Sequence, residues 1–352
     1  MTKIALITDQ HFGARKSSSY YLDYYEKFYS NVFFPALEKH NIKDIIIAGD
    51  TFDERRQINT YALRRSKEIF FEPLRQYNVT MLVGNHDVHF KSTNDVNTPE
   101  LVLGEYQNIN VVRDPGTLNV HIPICLIPWM NSENYSDCMI EMQRTNAKIC
   151  VGHFEIAGFK MYRDSESHEG LSRDIFKKFD KVFSGHFHHK SDDGQIHYLG
   201  NPYELTWQDH RDPRGFHLFD TLTRQLTFVR NPYSLFERFE YDDQLHDPDQ
   251  IDASMFSDKY VKIVIVNKTD FYKFDKFMTK LTDSNPLDVR IIENFSEYEE
   301  GMIDDTIQLE DTQSILTSYI DSLEECEDTR RAKLKSFIKG LYVEAMNVSD
   351  EV

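Results

Sequence analysis

Residues 3–13 read KIALITDQHFG and residues 44–53 read DIIIAGDTFD. In both, a short apolar run stops and a carboxylate follows at once, joined in the first by an imidazole. Runs of this length and composition predict strands covered on both faces. The polar residues then stand where a strand leaves its sheet. The same grammar recurs three times. Val79–Val83 leads into Gly84-Asn85-His86-Asp87, Ala147–Val151 into Gly152-His153, and Lys181–Ser184 into Gly185-His186-Phe187-His188. Between the early strands, residues 20–40 and about 58–77 carry helical patterns. The first half of the former is apolar on nearly every side, so more than one face should be covered. From about Ile109 the pattern is mostly β, with further runs at 111–112, 118–127, 196–199, 216–219 and 226–229. The expected fold class is α/β: two packed sheets flanked by helices.

The later chain changes character. Tyr241–Asp258 is polar and acidic, and reads as loop. A strand over Tyr260–Val266, a helix over Phe271–Leu281 and a strand over Leu287–Ile292 follow. Residues 297–311 read as an acidic linker. Two helices come last, with Ile315, Leu316, Tyr319, Ile320 and Leu323 on one face of the first. Leu334, Phe337, Ile338, Leu341 and Ala345 lie on one face of the second. The expected division is therefore 1–236 for the motif-bearing domain, 237–296 for a small α+β cap, 297–311 for the linker and 312–352 for the helices.

The 352 residues carry a formal net charge of −18. About 28 acidic and about 13 basic side chains fall after residue 236, which leaves about −3 for the rest. The acidity belongs to the C-terminal third and does not exclude a polyanionic partner for the remainder. Cys125, Cys138, Cys150 and Cys326 form no close pair and read as reduced thiols. The chain enters its first strand directly after Met-Thr-Lys, with no signal peptide pattern and no apolar run of membrane-spanning length. A cytoplasmic protein with no membrane partner is expected.

The five motifs supply the parts that phosphoester hydrolysis needs. Two divalent cations generate a nucleophile at neutral pH and neutralise phosphate charge. They need a shared carboxylate and mixed oxygen and nitrogen ligands. Asp50, at a strand end, is the natural bridge. Asp9 and His11 share one side of the first strand exit, because alternate residues do, and His186 and His188 repeat that spacing. Asn85 offers a neutral oxygen, and His153 completes the set. His86 directly follows a ligand and stands beside the metals, where a general acid belongs. Asp87 is placed to orient its ring. One Asp-x-His alone is more often structural, and it is the ordered set that carries the reading. The ligand types suit Mn²⁺, Fe²⁺ or Zn²⁺ better than Mg²⁺ and do not choose among the three.

Basic residues follow the motifs: Arg15 and Lys16 after the first, Arg55 and Arg56 after the second, Lys91 after the third and Lys190 after the fifth. Exposed Arg and Lys are common, yet a ring of them at one edge would engage DNA phosphates. Asp53 reads as a structural carboxylate at a helix start. His89 and His189 read as marginal to the site or exposed, because strand-end neighbours point the opposite way.

The motif order resembles that of the calcineurin-like metallophosphoesterases. Within them the chain looks like the SbcD-type subunit of the double-strand-break repair nuclease, and particularly the recombination endonuclease subunit of tailed phages. The stretches that carry this are residues 8–13 (TDQHFG), 48–53 (AGDTFD), 83–87 (VGNHD), 127–129 (IPW), 184–188 (SGHFH) and 199–202 (LGNP). The match spans about residues 1–235, so the resemblance makes 1–236 the nuclease domain. Some members have His where Asp53 stands, which leaves the role of Asp53 open. The resemblance implies manganese-dependent DNA cleavage: 3′→5′ exonuclease action on duplex ends and endonuclease action on single strands. It also implies a homodimer, and an SbcC-type coiled-coil ATPase gripped by the two C-terminal helices. Asp9, His11, Asp50 and His188 then hold one ion, and Asp50, Asn85, His153 and His186 the other. The aromatic helix over Tyr20–Phe34 is a candidate dimer surface. The rival reading is a phosphomonoesterase or small-molecule phosphodiesterase on the same fold. Protein phosphatases of this superfamily carry Asp-Arg-Gly after the second motif, whereas Asp53 is followed here by Glu54-Arg55. A catalytically silent scaffold for the ATPase is disfavoured, because every ligand type is in place.

Overall fold

The computed structural model describes residues 2–293 except 163, 164 and 169. The expected linker at 297–311 and the helices at 312–352 lie outside the described residues.

Five strands carry the motifs: β1 (Lys3–Ile7), β2 (Asp44–Ile47), β3 (Asn78–Leu82), β4 (Ile149–His153) and β5 (Lys181–Gly185). The first three are parallel neighbours in a six-stranded sheet. Ile109–Val112 extends it beyond β3, and antiparallel Gly215–Asp220 and Leu226–Arg230 extend it beyond β1. β4 and β5 are parallel neighbours in a second six-stranded sheet, completed by Ile122–Ile127 and Gly116–Val120 on one side and Ile196–Tyr198 and Ser191–Asp192 on the other.

Period-two alternation explains how the sheets stack. Ile4 and Leu6 of β1, Ile46 of β2 and Leu82 of β3 meet Ile149 and Val151 of β4 and Phe183 of β5 in one buried cluster between the sheets. Ala5 and Ile7, with Ile45, Ile47, Val79 and Met81, face the other way onto an aromatic layer. Cys125, Cys150 and Val182 face outward from the second sheet and are covered by Cys138, Met142 and Phe176. Each strand is thus buried on both faces, the arrangement its apolar run requires.

The aromatic layer comes from the first two helical stretches. Ser19–Phe28 is α-helical, Tyr29–Phe33 is a π-turn, and Phe34–Lys39 resumes the α-helix. Thr60–Ser66 passes into a second π-turn at Lys67–Phe71. Each π-turn closes on a wide bond to the carbonyl five residues back, from Phe34 to Tyr29 and from Glu72 to Lys67. A proline follows at once in both, Pro35 and Pro73. Proline lacks an N–H and its ring crowds the carbonyl four residues earlier, so a widened turn makes room for it. Tyr21, Tyr24, Tyr25, Phe28, Tyr29 and Phe33 all face the chain's own core, and Tyr20 alone of the early rings is more than half exposed. This corrects the expectation that Tyr20–Phe34 offers a dimer surface: its rings are already spent on the first sheet.

Phe236–Asp242 leaves the sandwich and pairs with Tyr260–Asn267, which pairs with Asp288–Ile292, in a parallel three-stranded sheet. Helix α1 (Phe271–Asp283), capped by Asp270, packs Phe277 and Leu281 onto Tyr241 and Ile263. The sequence pattern hides the first of these strands. In FERFEYD only Phe239 and Tyr241 keep the alternation toward the helix, where both stack on Phe277, and charged residues interrupt it.

Phe70 lies within ring contact of Phe12, Tyr29, Phe33, Phe34 and Phe71. Phe70→Ala is expected to cost about 3–5 kcal/mol of stability, read as a lower urea midpoint. A loss below about 1 kcal/mol would show that the aromatic layer does not support the sheet.

Candidate metal centre

The five motifs converge because their strands run parallel within each sheet and end at the same edge of the sandwich. The loops after β1 and β2 continue side by side beyond the strands. The Asp9 N–H donates to the Gly49 carbonyl (3.0 Å), His11 to Asp50 (3.1 Å) and Phe12 to Thr51 (2.9 Å). Both loops therefore turn together. Asp9 (φ 52°), His11 (φ 47°), Asp50 (φ 50°) and His186 (φ 87°) all sit in the left-handed region that non-glycine residues seldom occupy. That strain is tolerated because each loop is pinned by its neighbour.

Close approach explains two of the glycines. A Cβ on Gly84 would lie 2.2 Å from Asp50 Oδ1, and one on Gly49 (φ 99°) 2.4 Å from His153 Nδ1. Both carboxylates are fixed from behind by backbone: the His86 N–H donates to Asp50 Oδ1 (2.7 Å), and the His186 N–H donates to both Asp9 oxygens (3.2 Å each).

The ligand-type atoms fall into two groups with Asp50 between them. In the first, His11 Nε2 and His188 Nε2 are 3.0 Å apart, with Asp9 Oδ1 at 4.0 Å from the former and 3.9 Å from the latter. In the second, Asn85 Oδ1 lies 2.8 Å from His153 Nε2 and 2.9 Å from His186 Nδ1. Asp50 Oδ2 reaches both, 3.9 Å from His11 Nε2 and 3.2 Å from His153 Nε2. Asp9, His11 and His188, and likewise Asp50, His153 and His186, hold their ligand atoms within 4.8 Å of one another and could each hold a metal ion, as could His11, Asp53 and His86, which share His11 with the first group. Two imidazole nitrogens aimed at each other, and an amide oxygen facing two more, are what a shared cation would reward. The donor set of carboxylate, amide oxygen and imidazole fits a divalent transition metal.

His86 stands beside this array, its ring centroid 4.9 Å from that of His11. Its Nδ1 donates to the Asp53 carbonyl (2.8 Å), which leaves Nε2 directed away from that anchor. Asp87 does not orient it. Its carboxylate accepts the N–H groups of Thr51 (3.0 Å), Phe52 (3.0 Å) and Gly84 (2.9 Å), so it ties the third motif to the second. This corrects the role expected for Asp87. Asp53 proves the more informative residue: its carboxylate lies 3.0 Å from His11 Nδ1 while its carbonyl holds His86. Its place three residues after the second-motif Asp is the one trace of this in the sequence. Trp129 was legible as part of Ile-Pro-Trp but not as a wall of the site. Its ring lies 5.3 Å from His186 and 6.0 Å from His153.

The electrostatics split the four imidazoles. Burial pulls the His11 pKa down, but the Asp53 hydrogen bond and charge, with Asp50 and Asp9, carry it up to about 9. His153 reaches about 9 in the same way, burial being overcome by Asp50 and Asp9. Burial and neighbouring positive charge hold His186 down at about 3 and His188 well below its ordinary value. Asp50 lies well below the carboxylate range because His153 and His86 outweigh its burial. Burial, then Asp50, lifts Asp87 to about 7 against three backbone donors.

Of the basic residues, Arg15, Lys16, Arg56 and Lys91 are exposed and Arg55 is half-buried. Arg15 and Lys16 lie in a single left-handed turn directly after the first motif, with Arg15 Nε 3.4 Å from the Leu205 carbonyl. Lys190 lies over the Phe228 ring (5.2 Å). His189 is held by Asp212 (2.8 Å), and His89 packs on Phe90.

The chain belongs to the calcineurin-like phosphoesterase family, whose model matches residues 2–190. It is therefore a member of a family of phosphoester hydrolases. Exonuclease subunit 1 of Enterobacteria phage T4 is 31% identical over 312 residues, 88% of this chain and 89% of that protein. The SbcD component of the SbcCD nuclease of Staphylococcus epidermidis is 24% identical over 264 residues, 64% of this chain and 69% of that protein. Among solved structures, an archaeal phosphodiesterase aligns with a TM-score of 0.34 at 10% identity, over 65% of this chain and 99% of its own. The purple acid phosphatase PPD1 of yellow lupin aligns at 0.35 and 11%, over 66% of this chain and 46% of its own. No helix among the described residues is long and apolar enough to cross a membrane.

The raised imidazoles set the pH dependence of the metal-free protein. His11 and His153 titrate near 9 when folded against about 6.5 when unfolded. The stabilisation they give is complete below about 6.5 and is lost as pH rises through about 9. In chelator, thermal midpoints should fall from pH 6.5 to 9.5, and His11→Gln should flatten that fall. A midpoint rising over this range would contradict the assignment.

Proposed function

We propose that this protein is a metal-dependent DNA nuclease. The observation that carries the reading is the pair of ligand groups sharing Asp50, with His86 beside them, in a chain 31% identical to a phage exonuclease subunit over most of both lengths. Asp9, His11, Asp50 and His188 are assigned to one cation, and Asp50, Asn85, His153 and His186 to the other. When bound, the two ions, which we take to be Mn²⁺, supply Lewis acidity and a nucleophilic water at neutral pH.

The chain's own groups do the rest. Asp53 sets the tautomer of His11 through Nδ1, so that Nε2 faces the cation position. The Asp53 carbonyl fixes the His86 ring by the same logic. His86 then presents Nε2 to the ester oxygen that leaves phosphorus and hands it a proton. The Trp129 ring narrows the second side of the site and limits water there.

The proposed reaction is 3′→5′ exonuclease action on duplex DNA and endonuclease action on single strands, in end processing, recombination and repair. The proposed assembly is a homodimer with an SbcC-type coiled-coil ATPase held by residues 312–352. The likeness to the SbcD component of an SbcCD nuclease supports the partnered reading. Phosphate contacts are assigned to Arg15, Lys16, Arg55, Arg56 and Lys91, which follow the first three motifs.

Purified protein with Mn²⁺ is expected to degrade end-labelled DNA. His86→Asn should slow cleavage by about 10²–10⁴-fold, and Asp50→Ala should abolish it while the fold persists by circular dichroism. Cleavage of small phosphomonoesters alone would overturn the nuclease reading. Arg55→Glu with Arg56→Glu should weaken DNA binding and reduce its salt slope by about 1 or 2. An unchanged slope would remove these residues from the DNA path.

A further inference from the structure

Arg214 is charged, almost fully buried (5% exposed) and remote in sequence from the first three motifs. A buried guanidinium persists only where most of its donors are met. Here four acceptors converge on its two terminal nitrogens, while its Nε–H is buried without a partner among the described residues. Nη2 donates to Asp209 Oδ1 (2.7 Å) and Asp212 Oδ2 (2.8 Å). Nη1 donates to the Asn201 side-chain oxygen and to the backbone carbonyl of His188.

Those acceptors come from three different segments. Asp209, itself buried, also accepts the Leu205 and Thr206 N–H groups (2.7 and 2.9 Å), which fixes the segment that leads from the Gly200-Asn201 turn. Asp212 also holds the ring of His189 (2.8 Å). The Asn201 N–H donates to the same His188 carbonyl (3.3 Å), and a Cβ on Gly200 would lie 2.9 Å from it. The peptide after His188 is thus clamped from both sides, and Arg214 is the common point of the clamp. His188 places its Nε2 3.0 Å from His11 Nε2 while its own side chain remains 22% exposed. A ring with one edge open to solvent depends on the backbone behind it to hold that aim.

We propose that Arg214 is a positioning residue for the first cation site: it fixes the His188 carbonyl, and through it the ring that would share an ion with His11 and Asp9. The inference rests on the metal assignment made above and adds a residue to it. Lysine replaces arginine here only in part, because a single ammonium does not span four acceptors in two directions.

The test is Mn²⁺ binding to metal-depleted full-length protein, followed by calorimetry and by loss of the free-ion EPR signal. Wild type should bind two ions. Arg214→Gln should weaken one of them by about 10–100-fold and leave the other near wild type. Arg214→Lys should fall between. Hydrolysis of bis(p-nitrophenyl) phosphate by Arg214→Gln should recover as Mn²⁺ is raised, a rescue that general loosening of the fold would not give. Asp212→Asn, at the margin of the network, serves where Arg214→Gln does not fold, and should weaken the same ion by a smaller factor. Two ions bound by a folded variant with wild-type affinity, or both weakened equally, would overturn the role of Arg214 alone. A wild type that binds no Mn²⁺ would overturn the metal assignment, and this inference with it.

Discussion

The position of one carboxylate, between two sets of imidazoles, governs how the loops around it are built. Asp50 lies within 3.9 Å of His11 Nε2 on one side and 3.2 Å of His153 Nε2 on the other. It can do so only because a glycine precedes it after β2 and another opens the loop after β3. Any side chain at Gly84 would occupy the space of the Asp50 carboxylate. The His86 N–H then holds Asp50 from the third loop, while Asp87 beside it holds the second loop through two N–H groups. Two adjacent residues of one motif thus tie down the second motif. Loss of Gly84 would therefore displace the carboxylate that lies between both groups, and loss of Gly49 would displace His153.

The sandwich exists to bring that edge together. β1, β2 and β3 come from one sheet, β4 and β5 from the other, and the cluster from Ile4 to Phe183 holds the two in contact. Phe12 follows His11 directly and is packed among Tyr25, Tyr29, Phe70 and Phe71. The aromatic layer therefore anchors the first motif as well as covering the sheet. Left-handed backbone at Asp9, His11, Asp50 and His186 concentrates strain where the ligand atoms are, and rigid packing beneath makes that strain sustainable.

Much of this was legible in the sequence, for a physical reason. Ligand-type side chains at successive strand ends stand out in the sequence, and the structure brings Asp9, His11, Asp50, Asn85, His153, His186 and His188 into two neighbouring groups. The strands of both sheets were legible because burial on two faces leaves unbroken apolar runs. What escaped was everything that depends on contacts distant in sequence. The contact of Asp53 with His11 crosses 42 residues, and that of Arg214 with His188 crosses 26. Asp87 looked like a partner for its neighbour's ring, but adjacent residues on a turn point apart and its carboxylate found backbone instead. Phe236–Asp242 escaped because charged residues interleave its aromatic positions. The rings of the Tyr20–Phe34 segment suggested a subunit interface, whereas a helix apolar on most sides was simply buried in its own domain.

We infer that two cations share Asp50, and the spectrum of the Mn²⁺-loaded protein tests that claim. Two Mn²⁺ ions joined by one carboxylate are exchange-coupled. A coupled EPR spectrum is expected at two ions per chain, replaced in Asp50→Asn by the signal of isolated Mn²⁺. A wild-type spectrum of uncoupled ions at that loading would contradict the claim.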